Sequence, residues 1–70
     1  MKINWQLLIL KLQNSGIPLA TVNGALRRHK GWAHQIARGE IGEPKFSDAI
    51  ALLDYAYDHL PIEVFRQCAQ

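Results

Sequence analysis

The 70-residue sequence has a single cysteine, Cys68, which excludes an internal disulfide as a source of stability. Its longest apolar run, Leu7 to Leu10, falls far short of the roughly 20 residues that span a bilayer. No signal peptide precedes the first expected helix, so the chain is expected in the cytoplasm. His29, His34, His59 and Cys68 lack the paired spacing of a zinc site, and no metal or cofactor is expected. No nucleophile, base and orienting acid stand in a recognisable arrangement, which speaks against an enzyme. Low-complexity tracts and internal repeats are absent, and no segment alternates cleanly between turn residues as a strand would. The most informative shortage is of acid. Residues 1–39 contain none, against Lys2, Lys11, Arg27, Arg28, Lys30 and Arg38, a charge of +6. Residues 40–70 hold Lys45 and Arg66 against Glu40, Glu43, Asp48, Asp54, Asp58 and Glu63, a charge of −4. The modest net charge of +2 therefore conceals two halves of opposite sign, as expected when one face meets a polyanion and the rest is held away from it.

What is present is helical. With 49% apolar residues and 20% charged, the chain is globular rather than disordered, and its length makes one domain, residues 1–70, with a marginal core that self-association would help. Asn4 can cap a first helix running to about Ser15, with Trp5, Leu8, Ile9 and Leu12 on one face and Gly16 suited to the left-handed position after its end. Pro18 fits the first turn of a second helix to about Arg27, whose inner face is Leu19, Val22 and Leu26 with Ala25 beside them; Gly24 is read as a close crossing with helix three. Helix three is expected from about Lys30 to Arg38. Residues 39–44 form a loop, and Ser47 caps a fourth helix with the stripe Ala49, Ile50, Leu53, Ala56, Tyr57 and Leu60, ending at Pro61. Pro61 can open a short fifth helix with Ile62, Phe65 and Cys68 on one side. The expected fold is an all-α, compact five-helix bundle.

The segment from Ala25 to Gly39 carries the chemistry. A cationic run, Arg27 to Lys30, leads into Ala33, Ile36 and Ala37 at helical spacing, with Lys30, His34, Gln35 and Arg38 toward solvent. Their donor-rich ends suit an acidic polymer; a solvated amphipathic helix whose charges only keep the domain soluble is the plainer alternative.

Taken with its flanks, the segment Gly16 to Pro44 resembles the helix-turn-helix of the Cro/C1-type repressor family. Gly16 matches the glycine closing helix one, Val22 and Leu26 the apolar positions of helix two, Ala33 and Ile36 those of helix three, and Gly39 the glycine ending it. The resemblance covers most of residues 5–60 and implies a lambda-repressor-like arrangement of helices two and three. A narrower likeness is to small phage anti-CRISPR-associated autorepressors. The departures are Asn23 where the family usually has alanine, Arg27 where the turn often has glycine, Arg28 where a small aliphatic residue usually plugs the core, and Ala37 in place of a common acid. Trp32 is expected to fill the space Arg28 leaves, the alternative being a ring that faces DNA.

By position, the resemblance makes Lys30, Gly31, His34 and Gln35 the base-reading residues, Gln35 foremost because its amide can bond adenine N6 and N7. Arg27, Arg28, Arg38 and Lys45 become backbone-phosphate contacts, and His29 a phosphate contact or a plain solvent-facing turn residue. Residues 61–70 are expected to dimerise the chain through Ile62, Phe65 and Cys68, with Tyr55 or Tyr57 nearby. The first reading is a homodimeric repressor binding an inverted-repeat operator in double-stranded DNA, nucleoid-associated and without a small-molecule ligand. An antitoxin shares the same domain type. A small helical protein-interaction module, using the acidic fourth helix and apolar C-terminus, is the reading from another class.

Overall fold

Asn4 starts the first helix as its chemistry suggests: its Oδ1 accepts the Leu7 N–H at 3.0 Å, satisfying one of the donors that a helix start leaves open. The computed structural model describes residues 2–69, in which five helices follow one another: α1 (Trp5–Asn14), α2 (Leu19–Ala25), α3 (Trp32–Ala37), α4 (Phe46–His59) and α5 (Ile62–Gln67). The last residue of the expected dimerisation segment, Gln70, lies outside the described residues. No regular strand occurs among them, and no helix is long and apolar enough to cross a membrane.

Helix α1 is the hub, packing on α2, α3 and α4. It buries Leu8, Ile9 and Leu12 completely, while Trp5 packs on the core half-buried. Around these lie Leu19 and Val22 of α2, Trp32, Ala33 and Ile36 of α3, and Leu52, Ala56 and Leu60 in or just after α4. Each large aliphatic side chain so buried contributes about 1.5–3 kcal/mol over an exposed one. The ends of the chain meet: Ile3 pairs with Ala69 in an isolated antiparallel bridge, and the Asn4 N–H donates to the Cys68 carbonyl at 2.8 Å. That closure draws Cys68 into the core, only 1% exposed, with its Sγ 3.6 Å from the Val64 carbonyl. Burial pushes its thiol above the ordinary range.

Three helices end with the same pair of bonds. After α1, the N–H groups of Gly16 and Ile17 donate to Gln13 and Leu12; after α2, those of Arg27 and Arg28 to Gly24 and Asn23; after α3, those of Gly39 and Glu40 to Ile36 and Gln35. This pattern requires a left-handed residue, and Gly16 (φ 97°), Arg27 (φ 56°) and Gly39 (φ 79°) occupy it.

Several expected boundaries and faces are corrected. Pro18 stands before α2 with extended backbone (ψ 146°) rather than inside it, and the helix closes at Ala25 because Arg27 turns left-handed. Gly24 marks no close crossing, since a Cβ there would meet nothing within 4 Å. Helix α3 begins at Trp32, after Gly31, and ends before Arg38. Helix α4 begins at Phe46, behind Lys45, so Ser47 lies within its first turn and caps nothing. Its buried face is rotated from the expected stripe: Leu52 is in the core, whereas Ile50 and Tyr57 face solvent.

Candidate nucleic-acid interface

The turn between α2 and α3 is built by Asn23, whose side chain is 2% exposed. Its Nδ2 donates to the Lys30 carbonyl at 2.7 Å, and its Oδ1 accepts the Ala33 N–H at 2.8 Å. One buried amide thus holds the turn's last residue and also satisfies a donor at the start of α3, whose own N-cap residue, Gly31, has no side chain to do so. This buried amide is the device that fixes the turn.

Arg28 is tied down rather than free. Its guanidinium lies 5.8 Å from the centre of the Trp32 ring, and its Nη1 is 3.4 Å from Asp48 Oδ1 at the start of α4. Trp32 is 3% exposed and packs in the core. The pairing of Asp48 with Arg28 crosses from the turn to α4 and leaves no local signal in the sequence.

Three of the four expected base-reading residues share one arc of α3, and the fourth, Lys30, precedes it. Lys30 is exposed in the turn; Gly31, His34 and Gln35 share the outer arc of α3 with Arg38, opposite Ala33 and Ile36, and Gln35 is half-buried while His34 is exposed. The Gly31 N–H donates to His29 Nδ1 at 3.3 Å, which folds the imidazole back over the turn. Arg38 makes two bonds to Glu40, Nε to Oε2 at 2.7 Å and Nη2 to Oε1 at 3.3 Å. These bonds hold the guanidinium above its ordinary value and the Glu40 carboxyl below its own. Among the described residues, Arg27 and Lys30 have no ion-pair partner, so the turn carries two uncompensated cations at its surface. Lys45 is exposed just before α4.

The expected dimer residues do not form one surface. Tyr55 and Tyr57 point away from one another on α4; Tyr55 is half-buried and stacks on His59, their ring centres 4.1 Å apart. Tyr57 meets Phe65 edge to face at 5.6 Å, and Ile62 is exposed beside them. Cys68, in the core of its own chain, offers no surface to a second one. A cleft of about 430 Å³ between the N-terminal segment and the α3–α4 loop is lined by residues such as Lys2, Trp5, Gln6 and Gly39, with no His, Cys, Asp or Glu among its walls. No family model, characterised protein or solved structure matches the chain.

Proposed function

We propose that the chain is a sequence-specific, double-stranded-DNA-binding transcriptional repressor of the Cro/C1 type, working as a homodimer on an inverted-repeat operator. The observation that carries the reading is the left-handed Arg27. A non-glycine residue in that conformation costs roughly 1–2 kcal/mol. Glycine serves at both equivalent turns of the same molecule. An arginine kept there, exposed and unpaired beside Lys30 and the outer arc of α3, is explained by use of its charge.

In this reading Arg27, Lys45 and, on release from Glu40, Arg38 neutralise phosphates and set the register, while Gln35, His34 and Lys30 address base edges in the major groove. Gly31 presents no side chain between the helix and the groove. Arg28 belongs to the scaffold that holds Trp32 and α4. The acids of α4 and α5 stay off the polyanion, as the charge division requires.

Selection of bound fragments from random duplex DNA tests the reading. An enriched near-palindrome with half-sites about one helical turn apart, roughly 34–36 Å, is the expected result. Gln35→Ala then loses about 1–3 kcal/mol on the enriched site and almost nothing on random DNA. Equal loss on both, with the fold intact, removes α3 as the reader.

A further inference from the structure

Helix α4 carries two apolar arcs, and the core uses only one. Leu52 and Ala56 point into the bundle. Phe46, Ile50, Leu53 and Tyr57 form a second arc: at about 100° per residue these four positions fall within roughly 60° of one another. Phe46 is 83% exposed, Tyr57 62% and Ile50 46%, while Leu53 is half-buried at the border with the core. No charged residue interrupts this arc. Phe65 and Ile62 of α5 extend it beyond Tyr57.

We propose that this seam is the docking surface for a second copy of the chain, the two α4 helices packing antiparallel about a two-fold axis that passes between Ile50 and Leu53. The intervals along the seam run four, three, four, the alternation of a helix-packing seam, and they read the same in both directions. Under the two-fold, Phe46 therefore lies level with Tyr57 of the second copy, aromatic against aromatic, and Ile50 with Leu53 of the second copy, aliphatic against aliphatic. A surface that is its own complement is what a two-fold interface demands. The same symmetry sends the two Asp58 carboxylates to opposite ends of the pair, whereas a parallel pairing would set like acids side by side. The acids Asp54 and Asp58 close to the seam oppose nucleic acid or an anionic membrane as its occupant.

This surface deepens the homodimeric part of the function proposed above and rests on it only for the number of copies. Sedimentation of the full chain without DNA tests it apart from DNA binding. The wild type is expected to be dimeric at micromolar concentration, Phe46→Ala to weaken the dimer about tenfold or more, and Ile50→Glu to be a folded monomer by circular dichroism. Orientation is read by trapping. A mixture of Phe46→Cys and Tyr57→Cys chains is expected to form the mixed disulfide, while Phe46→Cys alone does not, because the two positions 46 would be about 16 Å apart along the helices. A wild type that stays monomeric at about 100 μM, a concentration at which any dimer with a micromolar dissociation constant would form, leaves the seam to some other protein and overturns the proposal. So does a dimer indifferent to Ile50→Glu, or a Phe46→Cys chain that crosslinks to itself.

Discussion

The turn after α2 and the turn after α3 are closed by the same two hydrogen bonds around a left-handed residue, yet one uses Arg27 and the other Gly39. At Gly39 the choice has a steric reason as well as a conformational one: a Cβ would stand 2.9 Å from Nε2 of Gln6, which reaches across from α1 to the Ala37 carbonyl. At Arg27 the strain of the left-handed backbone is held in place by the bonds Asn23 makes on the far side of the turn. One turn is shaped for packing; in the proposed reading the other is shaped for the charge it displays. Strain in a small domain accumulates where a side chain is needed outside and a polar network inside can sustain it.

The largest effect is expected from removing that network. Asn23→Ala leaves the Ala33 N–H buried without an acceptor and frees the Lys30 carbonyl, at a cost of about 2–3 kcal/mol. For a domain of this size that corresponds to a fall in melting temperature of roughly 10–20 °C. Thermal unfolding monitored by circular dichroism checks it. An Asn23→Ala protein that melts with the wild type would mean the α2–α3 turn stands without its buried amide.

Gly39→Ala comes next, with about 1–2 kcal/mol for placing a side chain in left-handed backbone. The clash itself adds little, since the atom it meets is the end of a flexible glutamine. Loss of the Gln6 to Ala37 bond accompanies it. A denaturant titration, run beside that of the Arg27 variant below, shows whether the two turns differ as claimed.

Much of this was legible in the sequence wherever the cause is local. Asn4, Gly16 and Gly39 announced the ends of α1 and α3 because caps and left-handed closures act within a few residues. The end of α2 and the start of α3 each differ by two residues from the expected bounds, because Asn23 sets them by bonding residues 30 and 33, at a distance no helical period encodes. The face of α4 was misread for a different reason. Two apolar arcs share the helix, and only packing against α1 decides that Leu52 enters the core while Ile50 and Tyr57 stay outside. Cys68, expected at the dimer interface, lies instead in the core because Ile3 and Ala69 close the chain end to end, a pairing with no local signal. Gly31, His34 and Gln35 share one arc of α3, opposite Ala33 and Ile36, as helical spacing requires; the tether on Arg28 depends on Asp48, which periodicity could not reveal.

The smallest effect concerns Glu40. Because its carboxyl is held below the ordinary range by the bond from Arg38, whatever stability the pair adds is present above that ordinary range and fades as the pH falls through the lowered value. Both side chains stand in solvent, so Glu40→Gln is expected to leave the melting temperature unchanged at neutral pH. The same substitution releases Arg38 and removes an acid beside α3, and it should strengthen binding to random duplex DNA about threefold at low salt. Unchanged affinity would show that Arg38 takes no part in the contact.

Arg27→Gly tests the central claim most directly, measured as both denaturant stability and duplex-DNA affinity across a salt series. The account predicts opposite movements: stability rises by up to about 1 kcal/mol as left-handed strain is relieved. Binding to all sequences weakens, and the slope of log K against log salt falls by about one per subunit. A variant that gains stability while DNA affinity and salt slope stay at the wild-type values would contradict it, leaving the exposed Arg27 without a partner and the turn without a reason for its strain.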